Sequence, residues 1–296
     1  MTASETPVAL TQAPPYRVHE GRTAVITGGA RSIGAAIAQN LASKGANLVI
    51  IYLTETSDAP AAALAAQLSK AHNVEVIPVR ADFSTPEGCT AVVETISKMP
   101  PNSKTGKPQV DILVNCAALF HAAPLEAVTP ADFHRVYAVN VLGPILLTQA
   151  VRALLPNDRS GRIVNVSSVG SKVGLEYLTL YGGSKGALEA MTRTWARELK
   201  EHCTVNSCNP SSTMTDMLRG ASEDAKQAIS MWYPLTPLCG VREWDTEEQK
   251  EMAEKYGGRA GYAEEIAGIV GMICSPESGW MTGCLVSANG GQWMAS

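Results

Sequence analysis

The sequence predicts an α/β fold in which one doubly wound parallel sheet lies between two layers of helices. From Arg22 onward, short β-rich runs alternate with helical stretches, and a glycine-bearing turn joins the first run to the first helix. Several runs are apolar throughout, which is typical of parallel strands covered on both faces. Folds of this class reach 296 residues as one unit, so we predict a single domain.

The first half of the chain contains four of the predicted strands, over residues 23–27, 47–52, 74–80 and 111–115. Ile33, Ile37 and Leu41 recur at helical spacing after the first strand, and Gly45 follows as a helix stop. The other elements predicted here are a helix over 59–70, a short helix after Pro86 and an inserted polar loop over 100–108.

The second half continues the alternation until it meets a long irregular segment. Its predicted elements are a helix over 130–154, a strand over 162–166, a helix over 181–199 and strands over 204–208 and 284–288. Between Met214 and Tyr262 the pattern breaks into short helical pieces, because Pro234 and Pro237 interrupt it. Long segments of this kind often cover ligands, so we expect residues 218–256 to form an extended substrate lid.

Composition and charge argue against several classes of protein. A net charge of −4 gives no basic field that would attract nucleic acid or an anionic membrane. No apolar run is expected to reach the length of a membrane span. The seven cysteines form no CxxC pair, which predicts reduced thiols in a cytoplasmic protein.

Two further absences complete this picture. The five histidines form no cluster with ligand spacing, so we expect no metal site. Residues 1–20 lack the basic start and the apolar run of a secretory signal. We therefore predict a flexible N-terminal extension over 1–20, followed by the folded domain over 21–296.

Residues 27–34, with the sequence TGGARSIG, connect the first predicted strand to the first helix. Backbone N–H groups in such a turn, together with the positive end of the helix, can hold a pyrophosphate. The spacing is not GxGxxG, and any tight turn between a strand and a helix can use glycine. The turn alone therefore leaves a purely structural role and a Rossmann-type cofactor site equally open.

The end of the second strand favours NADP(H) over NAD(H). Tyr52 occupies the place where an acidic residue would hold the ribose hydroxyls of NAD(H). Arg31 could bind a 2′-phosphate through charge-assisted hydrogen bonds, or could be a solvated arginine at a helix start. Glu55, close to this strand end, opposes the phosphate interpretation. Asp82 could accept a hydrogen bond from the adenine amino group or cap the next turn.

A second group of residues predicts proton transfer. Tyr181 and Lys185 are four residues apart, on one face of a predicted helix. Tyrosine has a reference pKa of about 10, so it needs a nearby cation to act at neutral pH. Ser168 follows an apolar strand and can hold a substrate oxygen, although Ser167 is a rival and such serines often bond only to backbone. Asn140 could hold a water in a proton relay or bond to neighbouring backbone.

These residues resemble the motifs of the short-chain dehydrogenase/reductase family. The matching segments are TGxxxGIG-like residues 27–34, NNAG-like residues 115–118 and the YxxxK motif of residues 181–185. Ser168 is similar to the catalytic serine of the family, and Asn140 is similar to the asparagine of its tetrad. Asn209-Pro210 with Thr213 and Thr215 resembles the segment that contacts nicotinamide, and residues 258–261 and 282–291 resemble the family's usual ending.

The resemblance implies a Rossmann-type three-layer fold, hydride transfer at a carbonyl or alcohol carbon, and homodimers or homotetramers formed through the long helices. Arg31 with Tyr52 is similar to the NADP(H)-preferring members. The implied catalytic residues are Ser168, Tyr181, Lys185 and Asn140. The residues implied in NADP(H) binding are Thr27, Gly28, Arg31, Ser32, Ile33, Gly34, Tyr52, Asp82, Phe83, Asn115, Ala117, Tyr181, Lys185, Pro210, Thr213 and Thr215.

The chain departs from the family pattern at four positions near the cofactor. Ser32 replaces a glycine of the turn, Cys116 and Ala118 alter the NNAG segment, and Ser211 stands where glycine usually follows proline. The serines are small, so we expect cofactor binding to survive, whereas Ala118 could displace the nicotinamide ribose. The predicted lid also exceeds the usual length, so the resemblance does not extend to the substrate.

The leading prediction is NADPH-dependent reduction of a ketone, or oxidation of a secondary alcohol in reverse. Candidate pocket residues, which could equally be packing residues, are Phe120, His121, Tyr177, Met214, Met217, Met231 and Trp232. A long lid with aromatic residues would suit a bulky cyclic or polyketide-like ketone of secondary metabolism. Two alternatives stay open: a redox-neutral cyclase or isomerase that keeps NADP(H) to shape its pocket, and a nucleotide-sensing protein without turnover.

Overall fold

The computed structural model describes residues 16–294. Its sheet contains the strands β1 (Thr23–Thr27), β2 (Asn47–Tyr52), β3 (Val76–Arg80), β4 (Ile112–Asn115), β5 (Gly161–Val166), β6 (Cys203–Pro210) and β7 (Leu285–Ala288). The strand order is β3-β2-β1-β4-β5-β6-β7, and every neighbouring pair is parallel. The order reverses between β1 and β4, which opens a crevice at their carboxyl ends. The predicted doubly wound α/β fold is confirmed.

Helices cover both faces of this sheet. They are α1 (Ser32–Ser43), α2 (Asp58–His72), α3 (Pro86–Ile96), α4 (Pro130–Tyr137), α5 (Gly143–Val151), α6 (Thr179–Glu198), α7 (Asp216–Arg219), α8 (Glu223–Ser230), α9 (Glu247–Tyr256) and α10 (Ala263–Cys274). On one face α1, α2 and α10 contribute Ile37, Leu68 and Val270 to a fully buried core. On the other face α3 and α5 contribute Val92 and Leu147 to a second core, which α6 also joins. The three predicted layers are therefore present.

One helix of the first layer was missing from the sequence prediction. α10 fills the stretch between Tyr262 and the last strand, where no helix was expected. Its glycines are poor helix formers, but Ile266 and Val270 are buried against the sheet, and this packing stabilises the helix. A Cβ on Gly271 would lie 2.1 Å from the amide oxygen of Asn40 in α1, so glycine here permits close helix packing.

The predicted helix over residues 130–154 is not uniform. α4 ends at Tyr137, and a turn of π-helix over Ala138–Leu142 precedes α5. Contrary to expectation, the whole stretch is long and apolar enough to cross a membrane by length and composition. Val136 and Val151 are fully buried in the protein's own interior, whereas Phe133 and Leu142 of the same stretch are exposed.

The structure describes the end of the predicted N-terminal extension and the whole of the predicted lid. Residues 1–15 of the predicted extension lie outside the described residues. Residues 16–20 pack onto the domain, because His19 is fully buried and its N–H donates to the Lys44 carbonyl at 2.9 Å. The segment expected as a lid, 218–256, consists of α8, α9, the end of α7 and the turns between them.

Candidate active site

The carboxyl ends of β1, β4, β5 and β6 surround a cavity of about 490 Å³, at the point where the strand order reverses. The glycine turn bounds one end, and α7, α8 and the loop after β5 bound the other. The residues predicted from sequence that line it are Gly28, Arg31, Ser32, Ile33, Gly34, Ala117, Phe120, Ser168, Tyr181, Lys185, Pro210, Thr213, Thr215 and Met217.

The turn after β1 requires glycine for steric reasons. Gly28 has a φ of +68°, and a Cβ on it would lie 3.2 Å from the Ala117 backbone. A Cβ on Gly34 would lie 2.1 Å from the Gly28 carbonyl oxygen. Thr27 Oγ1 accepts hydrogen bonds from the N–H groups of Cys116 and Ala117 at 2.9 Å, which ties the turn to the end of β4. The turn has no side chains at its glycines and is held in place by these hydrogen bonds, so its backbone can bind a pyrophosphate closely.

Ser32 shows how the chain accommodates its departure from the family's glycine pattern. Its φ is +52°, in the left-handed region that favours glycine. The backbone therefore keeps the path of a glycine turn, and the serine side chain is accepted at a cost in local strain. Ser32 lines the cavity beside Arg31 and Ile33.

Arg31 is exposed at the N-cap of α1 and lines the cavity. The turn lies against the end of β2, because the Gly29 N–H donates to the Ile51 carbonyl at 3.1 Å. Glu55, which opposed the phosphate interpretation, has its carboxylate 3.9 Å from Arg80. Within residues 16–294 Arg31 forms no ion pair, so its guanidinium is available to an anionic ligand.

Three of the predicted catalytic side chains meet in the cavity. Ser168 follows β5, and Tyr181 and Lys185 lie in the first turns of α6. Ser168 forms a hydrogen bond with Tyr181. Lys185 Nζ lies 5.7 Å from the centre of the Tyr181 ring and donates to the Val166 carbonyl oxygen at 2.6 Å. Tyr181 is 9% exposed and Lys185 is 2% exposed.

Burial dominates the ionisation of this pair. It raises the pKa of Tyr181 to about 12, although the hydrogen bond with Ser168 acts to lower it. Burial lowers the pKa of Lys185 to about 8, although Cys116 and Glu189 act to raise it. At neutral pH the tyrosine is a protonated phenol beside an ammonium group. Such a pair can donate a proton to a carbonyl oxygen and stabilise the phenolate that remains.

Asn140 lies in the π-helical turn and is 1% exposed. Its amide oxygen accepts from the Leu119 N–H at 2.8 Å, and its Nδ2 donates to the Leu119 carbonyl and to Ser184 Oγ, both at 3.0 Å. Of the two alternatives left open by the sequence, the side chain adopts the bonding to neighbouring backbone. It thereby fixes the Leu119 segment against α6, and a role in a proton relay stays a prediction.

The remaining predicted cofactor residues lie near the cavity but do not line it: Thr27, Tyr52, Asp82, Phe83 and Asn115. Asn115 donates its amide to Asn165 at 2.8 Å within the sheet. The Asp82 carboxylate caps its own turn, since it accepts from the Ser84 N–H at 3.0 Å and from the Ser84 hydroxyl at 2.6 Å. Phe83 is buried in the second core. Direct contact of these residues with a cofactor stays a prediction.

The candidate substrate residues divide into two groups. Phe120 and Met217 line the cavity, and the Phe120 ring meets Tyr181 edge-on at 5.2 Å. Those outside the lining are His121, Tyr177, Met214, Met231 and Trp232. His121 Nε2 lies 3.4 Å from the carboxylate of Asp132.

Sequence reasoning missed most of the substrate end of the cavity. Its apolar residues are Leu119, Val169, Leu175, Leu178, Leu218, Ala221 and Ile229. A signal was available for those between 169 and 178, because this short connection joins Ser168 to Tyr181 and must pass close to both. Leu218, Ala221 and Ile229 fall within the predicted lid, but no pattern in the sequence singled them out as the lid residues that face the cavity.

Comparison with known proteins agrees with this geometry. The profile of the short chain dehydrogenase family matches residues 22–226. An L-xylo-3-hexulose reductase of Hypocrea jecorina is 42% identical, over 94% of this chain and 99% of that protein. An L-xylulose reductase of Aspergillus niger is 42% identical, over 92% and 97% respectively. Among solved structures, a metagenomic blue fluorescent protein in complex with NADPH has a TM-score of 0.77 at 31% identity, covering 93% of this chain and 99% of that one.

The family match covers more than half of the chain, and both reductases align with nearly all of it. Their agreement with the glycine turn and with the Ser168, Tyr181 and Lys185 constellation leads to one conclusion. The chain belongs to the short-chain dehydrogenase/reductase family and is an oxidoreductase that acts on CH–OH and C=O groups.

Proposed function

We propose that this protein uses NADPH to reduce a bulky apolar ketone, cyclic or polyketide-like, or oxidises the corresponding alcohol in reverse. One observation carries the proposal, namely the arrangement of residues along a single cavity. Ser168, Tyr181 and Lys185 lie between a glycine turn flanked by Arg31 and an apolar wall. This wall is formed by Leu119, Leu175, Leu178, Leu218 and Ile229.

The glycine-turn end supports NADP(H) as the cofactor. β2 ends at Tyr52 and is followed by Leu53, and neither residue would repel a 2′-phosphate. Arg31 is free of ion pairs among the described residues. Similar proteins have been solved with NADPH or NADP bound. When bound, the cofactor supplies the hydride that adds to the carbonyl carbon.

The catalytic side chains then bind the carbonyl oxygen and transfer a proton to it. The hydroxyls of Ser168 and Tyr181 hold the carbonyl oxygen, and Tyr181 donates its proton as negative charge develops there. The Lys185 ammonium stabilises the phenolate that is left. Burial raises the pKa of Tyr181 further above 10, so the acid needed for reduction carries its proton at neutral pH.

The substrate end supports an apolar ketone. Side chains of Leu119, Leu175, Leu178, Leu218 and Ile229 line it and offer no hydrogen bonds. A polyol hydroxyl held against these side chains would be unpaired, at about 1–3 kcal/mol, whereas one that reached Ser212 or Asp216, which line the same cavity, would find a partner. Apolar surface buried there would instead gain roughly 25 cal/mol per Å².

A second candidate substrate is a ketose sugar. It is favoured by the two reductases that are 42% identical to this chain, whose names specify L-xylo-3-hexulose and L-xylulose. The chemistry at Ser168, Tyr181 and Lys185 would be the same for either substrate. The two candidates differ in whether apolar surface of the substrate packs against the apolar wall.

The test is NADPH oxidation, followed by absorbance, with 2-decalone, cyclohexanone, a small acyl ketone and L-xylulose as substrates. We expect the highest kcat/KM with 2-decalone, and a loss of about 10²–10⁴-fold in kcat for Tyr181→Phe. A preference for L-xylulose would replace the apolar substrate by the ketose. NADPH binding without oxidation of any ketone would overturn the reductase in favour of a redox-neutral catalyst or a nucleotide sensor.

We also propose that the protein is a homodimer or homotetramer formed through its long helices. Phe133 on α4 and Leu142 in the π-helical turn are 43% and 44% exposed, as expected for side chains that a second copy would cover. Sedimentation equilibrium should give two or four times the mass of the chain. A monomer at micromolar concentration would contradict this assembly.

A further inference from the structure

A buried carboxylate lies next to the catalytic residues without being one of them. Glu189 is 2% exposed and lies on α6 one helical turn after Lys185. It accepts hydrogen bonds from Ser167 Oγ at 2.7 Å and from Ser171 Oγ at 2.5 Å, and it pairs with Lys172 Nζ at 2.5 Å. A buried carboxylate is costly unless it is paired and hydrogen-bonded, and here both conditions are met.

All three partners of Glu189 belong to the segment 167–172, which contains Ser168. The Ser171 N–H donates to the Ser168 carbonyl at 3.1 Å, and the single hydrogen of the Ser171 hydroxyl is shared between Glu189 and the same carbonyl, which lies 2.8 Å from Oγ. Glu189 therefore connects the segment that carries Ser168 to the helix that carries Tyr181 and Lys185. No other carboxylate among the described residues bonds to this segment.

The negative charge of Glu189 also acts on the ionisation of Lys185. The two side chains reach neighbouring residues at the end of β5, since Lys185 Nζ donates to the Val166 carbonyl and Ser167 Oγ donates to Glu189. Burial lowers the pKa of Lys185, and the negative charge of Glu189 acts against that effect. A group that raises this pKa helps to keep the ammonium charged near neutral pH.

We propose that Glu189 is a positioning residue for the reaction: it fixes Ser168 relative to Tyr181 and supplies a negative charge that favours the Lys185 ammonium. The kinetic part of this proposal rests on the proposed reductase activity, whereas its electrostatic part can be tested without any substrate.

Every charged or titratable group that faces this pair enters the expected pH dependence. Lys172 approaches Glu189 from the segment after β5. Cys116 faces Lys185 from the end of β4, and the Tyr181 ring faces Lys185 Nζ from α6 itself at 5.7 Å. Burial lowers the pKa of Lys185, and without the charge of Glu189 less would act against that effect. The pKa of Lys185 should then fall below its value of about 8.

The substrate-free experiment is NMR titration of ¹³Cε-labelled lysine, with the Lys185 signal assigned by its loss in Lys185→Met. In Glu189→Gln we expect the Lys185 midpoint to fall, because the negative charge that acts to raise it is removed. Glu189→Asp keeps the charge and should keep the midpoint. Glu201→Gln removes a carboxylate from an exposed pair with Arg159 and is the matched control. An unchanged midpoint in Glu189→Gln would overturn the electrostatic role.

The kinetic experiment separates positioning from charge. Ser171→Ala removes the hydroxyl that Glu189 and the Ser168 carbonyl share but leaves both charges. We expect its kcat for ketone reduction to fall about tenfold, with little change in the KM for NADPH and none in the Lys185 midpoint. Wild-type kcat in Ser171→Ala would overturn the positioning role. If wild type reduces no ketone, the proposed function fails, and the NMR result still decides the electrostatic role.

Discussion

At the residue scale, cofactor choice depends on Arg31. We expect Arg31→Ala to weaken NADPH binding by about 10–100-fold and to leave NADH binding nearly unchanged, because a charge-assisted bond to the 2′-phosphate is worth about 1.5–3 kcal/mol. Fluorescence titration with each cofactor measures this. Arg159→Ala is the matched control, since Arg159 is an exposed arginine before β5, at the opposite end of the strands. Equal losses for both cofactors would refute the role.

Lys185 should limit the stability of the folded state. Burial lowers its pKa from 10.5 to about 8. Between these two values the unfolded chain binds more protons, so this contribution increases stability as pH rises through that window and is unfavourable below it. Lys185→Met should therefore raise the free energy of unfolding at about pH 7 by roughly 1–2 kcal/mol while abolishing activity, after allowance for the Val166 carbonyl that loses its donor.

Urea unfolding of wild type and Lys185→Met tests this at about pH 7 and again at about pH 10. The advantage of the variant should shrink at the higher pH, where Lys185 is neutral in the folded state. A variant less stable than wild type at pH 7 would show that the ammonium is stabilised by its surroundings.

At the element scale, the start of α1 is strained at Ser32. With a φ of +52°, replacement by glycine should relieve the backbone and raise the free energy of unfolding by about 1 kcal/mol. Ala36→Gly, inside the same helix, should lower it by about 1 kcal/mol because glycine weakens a helix interior. Thermal denaturation measures both variants, and destabilisation by both would refute strain at Ser32.

The π-helical turn provides a second prediction at this scale. Asn140→Ala removes every hydrogen bond between this side chain and Leu119, whose backbone groups then lose their partners. We expect a loss of about 2–4 kcal/mol in the free energy of unfolding and a higher KM for the ketone, since Leu119 lines the cavity. Asn157→Ala, at an exposed position before β5, is the control and should change neither. A changed kcat with an unchanged KM would favour the proton relay instead.

At the scale of the whole molecule, the sheet could be predicted because parallel strands buried on both faces appear as continuous apolar runs. The Tyr181 and Lys185 pair could be predicted because its spacing is local to one helix. Helix α10 was missed, since its glycines weaken the helical signal and only packing against α1 explains them. The roles of Ile229 and Glu189 depend on contacts that form only after distant segments have folded together.

The position of the apolar wall determines which substitutions could change the substrate selectivity of this protein. Its residues lie on segments outside the strands, whereas Tyr181 and Lys185 are fixed by α6. Substitutions at Leu175 and Ile229 can therefore reshape the acceptor space while the helix that carries the catalytic pair keeps its N-cap at Leu178. A directed-evolution library confined to these positions should yield altered selectivity while most of its members still fold.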